Sequence, residues 1–208
     1  MTLETSKNLG GIGAILIVIS FIGALGSGLT GLLGLVGLIL LLMGAKGLAD
    51  HYNEQGIFNN ALYSVILAIV GVAAAVGVLV ASVFTAIATL AISDWTNSAE
   101  WIASLQQGFV DPSHLLALLG AIIAALIVLF LFVVLAAIFY RKSLNMLASK
   151  TGVGLFGTAG LLLLIGAALT IIVIGLVIIW IAFILVAVAF FSIRTTGAET
   201  PQPPPTTP

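Results

Sequence analysis

The stretch GSGLTG at residues 26–31 matches the G-x-G-x-x-G pattern that wraps the pyrophosphate of a dinucleotide cofactor. Asp50 follows about twenty residues later, where such a site places the carboxylate that binds the ribose. This pattern carries its function only when a short strand precedes it and a soluble βαβ unit surrounds it. Here an apolar run of membrane-spanning or nearly membrane-spanning length lies on each side. We therefore predict that these glycines form the turn of a helical hairpin and bind no cofactor.

A second candidate for chemistry is the ionisable cluster of Asp50, His51 and Glu54. Asp50 and Glu54 are four positions apart and share a face if one helix carries both, whereas His51 points elsewhere. Such a set offers a weak divalent-cation site as one interpretation and a solvated helix end as the favoured one. Cys is absent, so a thiol nucleophile and a Cys-ligated metal are excluded. We predict no catalytic, cofactor-binding or metal-binding residue.

The composition identifies the setting in which these residues must be placed. The chain has 208 residues, of which 62% are hydrophobic and only 6% are charged, and its mean hydropathy is +1.34. Soluble proteins carry about 25% charged residues, so this chain lacks the polar groups to cover a soluble surface. The net charge of −1 also excludes the basic footprint of a nucleic-acid-binding protein. The sequence predicts an integral membrane protein.

The charged residues leave four long uncharged blocks, at residues 8–45, 55–93, 112–140 and 151–193. Since a spanning helix needs about 20 apolar residues, the blocks allow four to seven spans. The glycine-rich turn divides the first block, and we place a turn near residues 170–175 in the last. The prediction is an all-α polytopic bundle over residues 1–194, with six spans at about 10–25, 29–45, 58–92, 113–140, 153–170 and 175–193. The third span is too long for a bilayer core of about 30 Å and must tilt, kink or project.

The distribution of basic residues favours this count of six. With six spans, every Lys and Arg falls on one side of the membrane: Lys7, Lys46, Arg141, Lys142, Lys150 and Arg194. Short basic loops stay in the cytoplasm, so both termini are predicted to be cytoplasmic in a multi-pass protein of the cell membrane. His51 then lies inside and His114 outside, so the two cannot share a metal.

The outer loop at residues 94–111 contains a predicted amphipathic helix. Asn97 with Glu100 resembles a capping box, and apolar residues then recur at helical spacing. We expect the helix to lie at the membrane interface, with Trp95 and Trp101 at headgroup depth. A ligand lid or a partner-docking surface is the alternative. Asp111 followed by Pro112 is typical of an N-cap and first helical residue, here of span four.

Two further segments bear on the organisation of the chain. The tail at residues 195–208 is rich in Pro and Thr and is predicted to be disordered in the cytoplasm. The two inner loops share a Gly-aliphatic-Phe-x-x-Ala pattern, in which Gly56, Phe58 and Ala61 align with Gly154, Phe156 and Ala159. An internal duplication, as in many transporters, and chance agreement in an apolar chain both explain this likeness.

The predicted spans carry no ionisable residue away from their ends, which argues against a proton-coupled transporter, a voltage sensor and an ion pump. They are rich in small residues instead, which let helix backbones approach closely. The lipid bilayer is therefore the expected partner, together with other membrane proteins or a second copy packed on glycine-rich faces. The small residues that could form such close-packing faces are Gly28, Gly31, Gly34, Gly37, Gly71, Ala75, Gly77, Ala81, Gly154, Gly157 and Gly160.

Three segments resemble an archaeal family of multi-span membrane proteins, the domain of unknown function 996 family. They are LETSKNLGGIGAILIVIS, YNEQGIFNNALY and YRKSLNMLASKTGVGLFGTAGLLLLIGAALTIIVIG, of which the SKTGVGLFGTAG element is the most specific. The resemblance covers nearly the whole chain except the tail and the outer loop. It implies an archaeal-type membrane protein and supplies no activity and no functional residues.

These observations favour a non-enzymatic protein that has a packing, scaffolding or accessory role in the membrane. The alternative is a channel or transporter for a small neutral or lipid-like solute, because backbone carbonyls and small residues can line a passive path. An enzyme is not predicted.

Overall fold

The regular structure of this protein is helical throughout the described residues. The computed structural model describes residues 1–23, 30–89, 96–172 and 174–194. These contain α1 (Leu3–Gly23), α2 (Thr30–His51), α3 (Gln55–Thr89), α4 (Ser98–Val110), α5 (Pro112–Thr151), α6 (Leu155–Ala168), a 3₁₀ turn (Thr170–Ile172) and α7 (Ile174–Phe191). The prediction of an all-α fold is confirmed. Within the described ranges, α1, α2, α3, α5 and α7 are long and apolar enough to cross a membrane, whereas α6 is a shorter apolar helix.

The helices extend beyond the apolar runs from which the spans were predicted. Helix α5 does not end where its basic residues begin at Arg141 but continues to Thr151. Residues 141–151 contain no Gly or Pro, and the helix stops at Gly152, whose φ of +72° leaves the helical region. Helix α2 likewise continues through Lys46 to His51. Charge marks where a segment leaves lipid, but backbone conformation decides where the helix ends.

The third predicted span forms one continuous helix. Helix α3 has 35 residues and is about 52 Å long at 1.5 Å per residue, well beyond a bilayer core of about 30 Å. Three features of the sequence analysis lie outside the described residues: the turn at 24–29 with Gly28, the segment at 90–95 with Trp95, and the tail at 195–208.

The side-chain caps predicted at Asn97 and Asp111 are present, whereas the return bond from the Glu100 side chain that completes a capping box stays a prediction. The Asn97 side-chain oxygen accepts hydrogen bonds from the backbone N–H groups of Ala99 at 3.1 Å and Glu100 at 3.4 Å. The Asp111 carboxylate accepts the backbone N–H of Ser113 at 2.8 Å, and α5 begins at Pro112. These caps satisfy donors that a helix leaves unpaired in its first turn. Placement of α4 at a membrane interface stays a prediction.

The chain divides into two compact units. The terminal unit comprises Met1–Leu62 and Phe139–Pro208, and the central unit comprises Tyr63–Ile138.

In the terminal unit, α1 packs against α2 and α7, and α6 packs against α7. The backbones of α1 and α2 are so close that a methyl group added at Gly37 would lie 2.7 Å from the Gly13 carbonyl oxygen. The Trp180 indole N–H donates to the Val18 carbonyl at 3.2 Å and joins α7 to α1.

The central unit buries only small residues. Its buried positions among the described residues are all Gly or Ala: Gly71, Ala75, Ala125, Ala136 and Ala137. Helices α3 and α5 meet at Gly71, where an added methyl group would collide with the Phe132 side chain. Large apolar side chains instead point outward, and Phe84 and Leu116 are 68% and 72% exposed.

Candidate functional site

The apparent dinucleotide motif has no cofactor-binding geometry in its described part. Gly31 lies in the first turn of α2 and Asp50 in its last, at opposite ends of a 22-residue helix about 33 Å long. A ribose-binding carboxylate must instead lie beside the glycine-rich turn. The described residues also contain no strand that could precede the motif.

The ionisable cluster forms the turn between α2 and α3. Asp50 contacts Lys46 at 3.8 Å and accepts a hydrogen bond from the Gln55 side chain at 2.9 Å. The interpretation that Asp50 and Glu54 share a helix face is wrong, because α2 ends at His51. Asn53 has a φ of 51°, and this turn carries Glu54 away from the helix.

Glu54 contacts Lys150 at 3.3 Å, at the end of α5, rather than joining Asp50 in a shared site. Both side chains of this pair are partly exposed, as are Lys46 and Asp50. Ion pairs in such surroundings contribute at most about 1 kcal/mol. Across the described residues, no three His, Cys, Asp or Glu side chains are grouped closely enough to hold a metal ion. The charged side chains of this cluster form ion pairs at the turn between α2 and α3 and at the end of α5.

The two inner turns agree in backbone conformation as well as in sequence. Asn53 and Gly152 have φ values of 51° and 72°. Asn53 lies three positions before Gly56, whereas Gly152 lies two positions before Gly154, so the two residues differ by one position in the alignment of the inner loops. The aligned Ala61 and Ala159 are both fully buried. A left-handed residue is common directly after a helix end, so the duplication stays one of the two explanations of the sequence likeness.

The two turns are also joined directly within the terminal unit. The Ser143 hydroxyl of α5, 1% exposed, donates to the Ile57 carbonyl of α3 at 2.6 Å. Gly56 lies against the Met146 side chain, since a methyl group added there would approach its sulfur to 2.8 Å. Together with the Glu54–Lys150 pair, these contacts hold the start of α3 against the end of α5.

The central unit contains a cavity that the sequence did not predict. It has a volume of about 850 Å³ and lies between one end of α3 and the start of α5, with Leu105 of α4 beside it. Sites for small organic ligands have volumes of about 300–1,000 Å³ and mostly apolar walls. The α3 wall runs from Val78 to Ile87, and the α5 wall from Ser113 to Leu118.

The hydroxyl groups on this cavity wall are already hydrogen-bonded within their own helices. Ser82 donates to the Val78 carbonyl at 2.8 Å, and Thr85 donates to the Ala81 carbonyl at 2.9 Å. Because a serine or threonine hydroxyl has one proton, neither side chain has a further donor for a ligand. Among its hydroxyl groups, the wall formed by α3 therefore offers a ligand acceptor oxygens but no free donor.

One edge of the cavity is polar. The Ser113 hydroxyl donates to the Asp111 carboxylate at 2.7 Å, and His114 Nδ1 lies 3.5 Å from the same carboxylate. The Ser113 hydroxyl is the main cause that holds the pKa of Asp111 below its ordinary value, with the Ser113 backbone N–H next. Asp111 is thus negatively charged at neutral pH. No Lys or Arg occurs anywhere in the sequence from 63 to 138.

Sequence reasoning missed this cavity because its walls come from segments about thirty positions apart along the chain. Ser82 and Thr85 belong to no motif in the sequence, and His114 was considered only as a histidine that cannot share a metal with His51. The small side chains of Ala81 and Ala117, one on each wall, are a signal that a gap could form there.

Comparison with known proteins identifies a family to which no activity has been assigned. The family model described as a protein of unknown function, DUF996, matches residues 33–184. The chain is also 29% identical over 193 residues to the uncharacterized protein MJ1644 of Methanocaldococcus jannaschii. The aligned region covers 93% of this chain and 94% of that protein. No solved structure matches the chain.

Proposed function

This chain belongs to the DUF996 family of proteins of unknown function, and we propose that it is a non-enzymatic integral membrane protein that packs with other membrane proteins as a scaffolding or accessory component. The observation that carries this proposal is the surface of the central unit. Its helices bury only Gly and Ala, and they expose large apolar side chains over most of their length.

The difference in burial supports contact with a partner. A helix without charges can be covered by lipid or by another helix, and small residues favour the second because they permit close packing. Gly77 and Gly120 of the central unit have no described atom within 4 Å of the position where a side chain would begin. Such open glycines leave room for a neighbouring helix on α3 and on α5.

The proposal includes a topology of six spans with both termini in the cytoplasm. The five long apolar helices support five crossings. The sixth crossing falls on α6, which has 14 residues and is about 21 Å long, shorter than a core of about 30 Å. The 3₁₀ turn at Thr170–Ile172 adds length, and local thinning of the bilayer can accommodate the rest. In this topology α4 lies at the outer interface.

The packing role is tested by photocrosslinking in native membranes. A photoreactive amino acid is introduced at Ile69 or Leu116, exposed positions of the central unit, and at Leu161 of α6 as an exposed control. We expect protein adducts from the first two positions and few from the third. Adducts that are absent at all three positions, together with a single monomeric species in mild detergent, would contradict the proposal.

The topology is tested with single cysteines, since the chain has none of its own. Ser149→Cys lies beside Lys150 at the end of α5, and Ser98→Cys lies at the start of α4. We expect a membrane-impermeant thiol reagent added to intact cells to label position 98 and to leave position 149 unlabelled until the cells are opened. Labelling of position 149 in intact cells overturns the six-span arrangement.

A further inference from the structure

We propose that the cavity of the central unit binds the hydrocarbon chain of a membrane lipid whose polar end carries no net negative charge. The site lies between the Val78–Ile87 segment of α3 and the Ser113–Leu118 segment of α5. It adjoins the outward-facing helix surfaces through which packing with other proteins is proposed, but it does not depend on that role.

The chemistry of the walls selects a hydrocarbon. Besides the self-bonded Ser82 and Thr85, the α3 wall consists of aliphatic side chains, and the α5 wall is aliphatic after His114. Polar ligands lose hydrogen bonds to water on entering such a space, which costs free energy unless the site replaces those bonds. A hydrocarbon chain loses none. The volume of about 850 Å³ is within the range of sites that enclose small organic ligands.

The surroundings of the cavity indicate that its ligand comes from the lipid phase. The helices that form its walls are apolar on their outer surfaces as well, with Leu116 and Val83 exposed beside the cavity at 72% and 51%. A ligand dissolved in the membrane therefore reaches the site through apolar surroundings throughout. Tight helix contact at Gly71 and Phe132 closes the space between α3 and α5 farther along the pair.

The charge at the polar edge selects against anionic lipids. Asp111 lies beside the lining residues Ser113 and His114, with its carboxylate 2.7 Å from the Ser113 hydroxyl and 3.5 Å from His114 Nδ1, so it places a negative charge next to the polar edge of the cavity. The sequence of the central unit contains no Lys or Arg, so the group that can offset this charge at the polar edge is His114 when it is protonated. A phosphate-bearing end without a compensating cation is repelled there, whereas an uncharged hydroxyl-bearing end is accepted.

The test uses the full chain reconstituted in vesicles with a photoreactive lipid. The probe is diacylglycerol with a diazirine near the end of one chain, and the anionic arm uses phosphatidylglycerol with the same labelled chain. The site-filling variants are Ala81→Trp and Ala117→Trp, which place an indole in the cavity from either wall. The matched controls are Ala73→Trp and Ala124→Trp, at exposed positions of the same two helices outside the cavity.

We expect saturable labelling of peptides that contain residues 78–87 and 113–118, competed by unlabelled diacylglycerol. Each site-filling variant should reduce it about tenfold, because the indole overpacks the space that the lipid chain occupies, and the controls should not. Labelling spread evenly along α3 and α5, or insensitive to both site-filling variants, overturns the proposal. Equal labelling by the anionic probe overturns the charge selection. Competition on the unmodified chain decides the matter even if a variant fails to fold.

Discussion

The terminal and central units are built from similarly apolar sequence but pack in different ways. The terminal unit buries large side chains such as Phe156 and Phe190, whose rings meet edge to face with centroids 5.1 Å apart. The central unit buries only Gly and Ala and exposes its large side chains. Hydrophobicity therefore does not determine which helix is packed. What distinguishes the units is whether small residues on one helix face a matching surface on the next.

The basic residues are also distributed unequally between the two units. All Lys and Arg of the sequence belong to the terminal unit, where Lys46 and Lys150 have carboxylate partners and Lys7 donates to the Ile193 carbonyl at 3.2 Å. The central unit has acids and no basic residue other than histidine. The comparison supports the proposal that other membrane components cover the surface of the central unit.

The largest effect is expected from removal of a core aromatic ring. Phe156→Ala should lower the free energy of unfolding by about 3 kcal/mol, the lower end of the range for Phe→Ala, because lipid surroundings reduce the transfer part of the cost. Phe84→Ala in the central unit should change it by less than about 0.5 kcal/mol, since that side chain is 68% exposed. Denaturant unfolding in mixed micelles measures both. Equal losses would remove the distinction between the units.

A somewhat smaller effect is expected where backbones touch. Gly37→Ala should destabilise the protein by about 2 kcal/mol, because its new methyl group lies 2.7 Å from the Gly13 carbonyl oxygen and α1 must move away. Gly77→Ala in α3 meets open space and should stabilise by about 0.5–1 kcal/mol through helix propensity. A melting temperature that falls for Gly37→Ala and rises for Gly77→Ala would confirm that helices pack closely in the terminal unit and leave open space on α3. A loss at Gly77 as large as at Gly37 would show that a helix already packs on the central unit.

The next effect compares two buried or half-buried hydroxyl groups. Ser143→Ala removes the hydrogen bond that joins α5 to the Ile57 carbonyl and should cost about 1 kcal/mol. Ser82→Ala removes a bond within one helix, to Val78, and should cost less than about 0.5 kcal/mol. Chemical denaturation of the two variants provides the measurement. Indistinguishable midpoints would mean that the contact between the inner turns adds nothing to stability.

Sequence reasoning recovered the features that depend on local chemistry. The all-helical class followed from composition, and the caps at Asn97 and Asp111 followed from residue types next to helix starts. The ends of α2 and α5 were misplaced because charge was taken as the boundary, while the left-handed conformations at Asn53 and Gly152 end those helices. A left-handed glycine or asparagine after a basic stretch is a readable signal for such an end.

Features that depend on distant segments could not be read from the sequence. The cavity exists because α3 and α5 meet at Gly71 and Phe132 yet leave space near Ala81 and Ala117, and small residues occur at both places. Glu54 pairs with Lys150 rather than sharing a face with Asp50 for the same reason: its partner is supplied by a helix far along the chain.

The smallest expected effect is the pH dependence of the α5 cap in the central unit. The pKa of Asp111 is lowered in the folded chain, so its contribution to stability is present above the ordinary carboxyl pKa of 3.8 and is lost as the pH falls through the lower folded value. Asp111→Asn retains a capping oxygen but abolishes this dependence, whereas Asp111→Ala loses the cap at every pH. Melting temperatures of the three proteins, measured between pH 6 and pH 2.5 in steps of about one pH unit, distinguish these outcomes. If the Asn variant follows the same acid profile as the unmodified chain, Asp111 is not the group that titrates, and the acid sensitivity belongs to the carboxylates of the terminal unit.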